Sequence, residues 1–374
     1  MLSPVPDGVT VVASFEKAER LRERKKPDPL LILEPLQEYF DENGFGEGDL
    51  LWGRLGLQST SGTFHLQRDE GFQVVLKRRL GGPQPSEVMD LQTEVELLQM
   101  LRGHGLHSPE ILHVCNDPSI IGAPFYLSAF LPGEAAIKTV PKGLDSVEEK
   151  VGMSRRAIDD LARIQVEITP DEVKRFDRGG GELRKMVLES KRMARQLKMR
   201  RIPGFEILGE YLLENSPEPR PSVICHGRYA MQNLLFGPRP PASITGIFGW
   251  ERATASDPLM DLGYFTATYA AKDLPDTPLD TAVVTREEDG FLSRNELSNV
   301  FRIATHLETH DLPWFQTFSL WREAVRLEEM FERLMNKEAV PNKAFALSLR
   351  DGVPQILANA AHFSQVEGVE AIVN

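Results

Sequence analysis

Apolar residues recur along this chain in two periods, and the change from one to the other divides it. Leu33, Leu36, Tyr39 and Phe40 fall at helical spacing before Gly44, so a helix is expected over Leu30 to Phe40. Its regular part is expected to begin at Pro35, because proline fits a first turn. Gly53 to Leu66 then reads as a strand, a turn of small residues (Leu57 to Gly62) and a second strand, and Phe72 to Lys77 as a strand ending in a cation. Met89 to Leu101 is amphipathic at helical period, with Leu91, Val95, Leu98 and Leu101 apolar and Glu94 and Glu96 between them. A turn and strand from Asp117 end at Pro132-Gly133, where a domain boundary is expected.

Beyond that boundary the helical period dominates. Helices are expected over Ser154 to Ile168, Glu182 to Met199, Arg286 to Thr305 and Leu312 to Met335, followed by a helical tail over 340–374. Ser256-Asp257-Pro258 reads as a helix start, with Asp257 as the cap. Residues 1–28, with the charged stretch Glu16 to Lys26, are expected to form a solvated helix or arm. One stretch breaks the helical run. Val223 to Cys225 is apolar, a polar loop runs from His226 through Gln232 to Asn233, Leu234 to Phe236 is apolar again, and after a Gly/Pro turn Ile244 to Phe248 leads to Gly249-Trp250-Glu251. Short strands around a polar loop put His226 to Gln232 within reach of small molecules.

Composition narrows the classes. With 374 residues and 41% hydrophobic content the chain can bury a substantial core. A net charge of −12 disfavours nucleic acid and anionic membranes as partners. The two cysteines, Cys115 and Cys225, are too few for a disulfide framework and are expected to be buried and reduced. No apolar run approaches the ~20 residues that span a bilayer, and no secretory leader is apparent, so a cytoplasmic protein is expected. His104, His107 and His113 lack the spacing of zinc ligands, and no metal site is expected there. Neither a Gly-x-Ser-x-Gly elbow nor a Gly-x-Gly-x-x-Gly fingerprint is present.

The loop and its flanks resemble the aminoglycoside phosphotransferase and choline kinase family, relatives of protein kinases. That family reads His-Gly-Asp-x-x-x-x-Asn, followed by a strand ending in Asp before Trp-Glu; His226, Gly227, Asn233, Trp250 and Glu251 match. The resemblance implies an α+β, bilobal, protein-kinase-like fold. It has a small mixed N-lobe with an antiparallel sheet over 29–133 and a larger, mainly helical C-lobe over 134–374 holding the loop segment 223–251. It also implies ATP or another nucleotide as ligand, with Lys77 on the phosphates, Glu94 paired to Lys77, and Ser128, Ala129 and Phe130 at the base. Asp261 occupies the position that braces the loop. Trp314-Phe315 and Trp321-Arg322-Glu323-Ala324 resemble the branch fused to some acyl-CoA dehydrogenases.

Two positions depart from the pattern: Arg228 and Gly249 stand where the family has its aspartates. A guanidinium cannot take a proton from an attacking hydroxyl, and glycine offers Mg²⁺ no ligand. Exchanging carboxylate for guanidinium changes the local charge by two units, each worth about 4 kcal/mol at ~4 Å and an effective dielectric of ~20. Mg²⁺ is therefore disfavoured, while Arg228 suits an anion. Glu251 and Asp257 are the nearest carboxylates in sequence. The basic face of the Glu182 to Met199 helix (Arg184, Lys185, Arg192 and Arg195) is either solvated or a wall for an anionic ligand. The favoured reading is a pseudokinase with a degenerate site at His226, Arg228, Asn233 and Gly249, binding a nucleotide or anionic small molecule. Behind it come an active phosphotransferase with a displaced metal site, acting on a hydroxyl such as that of a hydroxyacyl-CoA, and an interaction protein with an occluded cleft.

Overall fold

The computed structural model describes residues 11–23, 29–55, 61–79, 88–137, 139–179, 181–269, 274–279, 285, 289–336 and 343–369. It divides into two compact units. One comprises the described residues of Met1–Gln99 and Pro109–Leu131, the other those of Met100–Ser108, Pro132–Glu338 and Lys343–Asn374.

The first is built on a five-stranded sheet. Its strands are β3 (Leu51–Arg54), β4 (Ser61–Gln67), β5 (Gln73–Arg79), β6 (Ile111–Cys115) and β7 (Phe125–Ala129), in the order β3-β4-β5-β7-β6. Every neighbouring pair is antiparallel. Alternation decides what each face does. Phe64 and Leu66, Val74 and Leu76, and Phe125 and Leu127 share one face and pack with Leu36 and Phe40 of helix α2 (Leu33–Glu42). Lys77 and its cross-strand partner Tyr126 take the other face, where helix α3 (Leu91–Gly103) brings Glu94 to both.

Helix α2 begins two residues before Pro35, because the first-turn N–H groups have no intrahelical acceptor and proline gives up nothing there. The N-terminal stretch carries helix α1 (Phe15–Glu23) after a short strand, β1 (Val11–Val12). It is tied to this unit by parallel pairing of β1 with β2 (Leu31–Ile32) and by the fully buried Ala18. β5 continues past the expected end at Lys77 to Arg79, still paired with β4. Residues 57–60 of the expected turn of small residues lie outside the described residues, and Gly62 belongs to β4.

The second unit is mainly helical. In chain order it holds β8 (Glu134–Ala135), α4 (Val147–Glu167), α5 (Pro170–Arg175), α6 (Leu183–Gln196) and α7 (Gly204–Glu214). Next come β9 (Val223–Cys225), β10 (Leu234–Phe236), β11 (Ile244–Ile247) and β12 (Thr254–Ser256). Four helices close it: α8 (Leu259–Ala267), α9 (Arg294–Thr305), α10 (Leu312–Met335) and α11 (Lys343–Ser364). α4 starts seven residues earlier than its apolar period suggests, because Ser146 caps it through the backbone N–H of Glu149. α9 starts at a Ser293/Glu296 capping box; the expected onset at 286–288 lies outside the described residues. α7 was not foreseen from the sequence. α10 is the spine: Trp314, Phe315, Phe318 and Trp321 are buried, and the Trp314 and Trp321 indole N–H groups donate to backbone carbonyls of Leu212 and Phe205. Among the described residues no helix is long and apolar enough to cross a membrane, and Cys115 and Cys225 are buried free thiols.

Candidate functional site

In the sheet unit the centre of interest is a buried ion-paired cluster. Lys77 Nζ donates to Glu94 Oε1 at 2.6 Å, Tyr126 Oη donates to the same oxygen at 3.2 Å, and Arg79 donates to Glu94 Oε2. The sequence order of strand and helix pointed to the Lys77–Glu94 pair; the second cation, Arg79, and the phenol were missed. Arg79 faces Glu94 because β5 runs on by two residues, which returns its side chain to the face of Lys77. At the end of β7, Ser128 is buried, Ala129 donates its backbone N–H to the Glu110 carbonyl at 2.8 Å, and the half-exposed Phe130 ring stacks on His65 at 4.4 Å.

In the helical unit the polar loop lies between two strand pairs, β9 with β12 and β10 with β11. Its backbone is held by Asp261 of α8, whose two oxygens accept the N–H groups of His226 and Gly227, the latter at 2.9 Å. Burial pushes the Asp261 carboxyl up to about 6, against the pull of those N–H groups. Gly227 takes φ +82°, and a Cβ there would sit 2.6 Å from the Arg252 carbonyl oxygen, so the turn admits no side chain. His226 is wholly buried. Its Nε2 lies 2.8 Å from the Phe248 carbonyl and its Nδ1 3.2 Å from the Arg228 N–H. A carbonyl only accepts and an N–H only donates, so the ring is the neutral Nε2–H tautomer and clamps one side of the loop to the other. Asn233 donates Nδ2 to the Arg228 carbonyl at 2.9 Å. Gly249 has φ +90°, and a Cβ there would lie 3.4 Å from both Cγ and Oδ1 of Asn233. The structure thus brings His226, Arg228, Asn233 and Gly249 together.

The Arg228 side chain turns to α10. Its Nη2 donates to Glu323 Oε1 at 3.0 Å and its Nε to the Tyr264 hydroxyl at 3.2 Å. Arg326 Nη1 donates to the other Glu323 oxygen at 2.8 Å. Burial alone would raise the Glu323 carboxyl. Arg228, then Arg326, Arg252 and Arg322 outweigh it and hold it down at about 2. Burial first, then neighbouring Arg326, lowers Arg252 to about 9 and Arg322 to about 10. Glu323 followed by Tyr264 raises Arg228. All four guanidiniums are charged at neutral pH. Tyr264, Arg252 and Arg326 were not singled out from the sequence, and Arg322 and Glu323 were quoted only for the resemblance of the C-terminal helix. One signal was present: Arg322, Glu323 and Arg326 bring charge onto a helix whose first ten residues, Leu312 to Trp321, carry none.

The basic helix α6 is accounted for differently. Lys191 pairs with Glu206 and Glu210 of α7, Arg195 pairs with Glu206 at 2.8 Å, and Arg184 and Lys185 donate to the backbone carbonyls of Leu213 and Gly179. Asp257 accepts the Leu259 N–H at 2.9 Å through one oxygen and the Arg220 guanidinium at 3.1 Å through the other. It caps α8 from one residue outside the N-cap position, which Pro258 occupies. His104, His107 and His113 engage Glu172, Asp160 and Tyr39 separately. Among the described residues no three His, Cys, Asp or Glu side chains converge as metal ligands.

Residues 54–297 match the family model described as phosphotransferase enzyme family, APH. Acyl-CoA dehydrogenase family member 10 of Mus musculus is 28% identical over 233 residues, 59% of this chain and 22% of the mouse protein. Family member 11 of Pongo abelii is 24% identical over 71% of this chain and 34% of its own length. The matched segments thus span a fifth to a third of those relatives. Aminoglycoside 3'-phosphotransferase of Streptomyces fradiae is 27% identical over 49% of this chain and 71% of its own. Among solved structures, a Ralstonia eutropha protein designated an aminoglycoside phosphotransferase superposes with a TM-score of 0.70 at 18% identity, over 90% of this chain and all of the other. Choline kinase of Cryptosporidium parvum gives 0.57 at 13% identity, over 84% of this chain and 90% of its own. The antiparallel sheet unit and the helical unit with its strand-flanked loop are those of a kinase-like phosphotransferase, and the chain belongs to the aminoglycoside phosphotransferase (APH) family.

Proposed function

We propose that this chain is a pseudokinase of the family, which binds a nucleotide or another anionic small molecule and does not carry out ordinary Mg·ATP-dependent transfer. One observation carries the reading: the residue at the catalytic-base position, Arg228, is a guanidinium ion-paired to the buried carboxylate of Glu323. It can neither accept a proton nor turn into a base. The residues present do not fit a kinase-type Mg²⁺ site either. Gly249 has no side chain, Asn233 retains one neutral oxygen, and Asp257 has both oxygens committed to Arg220 and to the start of α8.

A nucleotide does fit what the sheet unit retains. A buried Lys–Glu pair on a strand and helix is the arrangement that holds α- and β-phosphates in kinases. Spectinomycin phosphotransferase, solved with ADP, shares this fold with a TM-score of 0.58. The test is calorimetric titration of ATP with MgCl₂ and again with EDTA, alongside an assay of ADP formation. The expected result is equal affinity in both buffers and no ADP above background. Gly249→Asp places a carboxylate beside Asn233 and should make binding Mg²⁺-dependent; aspartate is among the residues that tolerate positive φ. ADP formation by the wild type with Mg²⁺, abolished in Glu251→Ala, would overturn the reading and point to a relocated metal site.

A further inference from the structure

Glu94 meets two cations, and it meets them through different oxygens. Oε1 accepts from Lys77 Nζ and from the Tyr126 hydroxyl, and Oε2 accepts from Arg79. The Glu94 side chain is 1% exposed, that of Lys77 7% and that of Arg79 13%. The two cations are held differently. Arg79 Nη2 also donates to the Met89 carbonyl at 2.8 Å, two residues ahead of α3, so its guanidinium is fastened to the start of the helix that carries Glu94. Its Nε and Nη1 are buried without an acceptor, and among the described residues Glu94 is its one ion-pair partner. Lys77 instead ends in a compact ammonium on a flexible four-carbon stem that rises from β5.

We infer that Arg79 is a stand-in counter-ion: it keeps Glu94 paired when an anionic ligand draws Lys77 away, and so makes Lys77 available to that ligand. A buried carboxylate that loses its last cation is strongly destabilising, because an uncompensated charge stays in the interior. With Arg79 on Oε2, Glu94 keeps a charge-assisted bond when Lys77 moves, and the Tyr126 hydroxyl still satisfies Oε1. Moving Lys77 therefore costs less than it would for an isolated lysine–glutamate pair. The guanidinium is the better anchor of the two, since its planar fork spans Glu94 and the Met89 carbonyl at once. Arg79 acts on the ligand only through Glu94 and Lys77, which makes it a positioning residue. The ligand half of this inference rests on the nucleotide reading above; the sharing of Glu94 does not.

The test is a double-mutant cycle in the full chain, followed by urea unfolding and by calorimetric titration of ATP in EDTA. Lys77→Met and Arg79→Met should each destabilise the fold modestly, because the other cation remains on Glu94. The double variant should lose about tenfold or more in folding equilibrium constant beyond the product of the two single losses, since it alone strips the carboxylate of both cations. Losses that simply multiply, or a double variant less affected than that, overturn the sharing. Should the double variant not fold, adding Glu94→Gln should restore folding, because no bare carboxylate is left; a triple variant that stays unfolded overturns the sharing as well. Arg79→Met should also weaken ATP binding severalfold with Lys77 and Glu94 in place, a change that a merely structural arginine would not cause in a folded variant. ATP affinity equal to wild type in Arg79→Met overturns the positioning role. ATP that fails to bind wild type overturns the nucleotide reading and the positioning role with it, while the unfolding cycle still decides the sharing.

Discussion

The sheet unit and the helical unit each bury a charged cluster built on one carboxylate, and the two differ in the cations that surround it. In the sheet unit one carboxylate, Glu94, serves Lys77 and Arg79, with Tyr126 completing its hydrogen bonds. A strand lysine paired with a helix glutamate is the arrangement that holds phosphates in kinases. In the helical unit one carboxylate, Glu323, faces four guanidiniums, one of them on the loop where the family keeps its catalytic aspartate. The loop's scaffold is intact: Asp261 still holds the backbone of His226 and Gly227, and His226 still bridges to Phe248. On the pseudokinase reading proposed above, the difference lies in the side chains at positions 228 and 249, while the loop's bracing rests on other residues, so one can be replaced and the other kept.

The sharpest way to break this contrast is Glu94→Ala. It removes the carboxylate that the buried Lys77 and Arg79 share, and removing one partner of a buried pair costs about 3–5 kcal/mol. Urea unfolding monitored by fluorescence should show that loss; a cost under ~1 kcal/mol would mean the pair is far more hydrated than its burial indicates.

Glu323 gives the next largest effect and a pH signature. Its carboxyl is held at about 2 against an ordinary value of 4.5. A depressed acid stabilises the fold above its unfolded value, and the contribution fades as pH falls from about 4.5 towards 2. At ~1.4 kcal/mol per unit the contribution is about 3 kcal/mol. Wild type should therefore exceed Glu323→Gln by about that much at pH 7, and the two should converge near pH 2. A difference independent of pH would show that the guanidiniums do not hold the carboxylate in its charged form. The smallest effect is expected on α6. Arg195→Ala removes an exposed pair with Glu206 and should cost under ~1 kcal/mol, with the difference shrinking in high salt.

Several parts of this picture were legible from residue order alone. A short apolar run in Phe72 to Lys77 and helical spacing in Met89 to Leu101 put Lys77 and Glu94 on a strand and the following helix, and such local patterns survive in the folded chain. His226, Gly227 and Asn233 announced the loop, and Asp261 its brace, because their spacing is fixed by a turn and one helix start. Tertiary structure alone decided where the long charged side chains found partners. Arg228 looked like a free clasp for an anion until α10 placed Glu323, 95 residues on, against it. The basic row of α6 read equally as a solvated face or a ligand wall until α7, absent from the sequence reading, supplied Glu206 and Glu210 to Lys191 and Arg195. Arginine, lysine and glutamate have several rotatable bonds and no period of their own. A buried charge takes whichever opposite charge the packing of apolar faces brings within reach, and that packing is set by the whole chain.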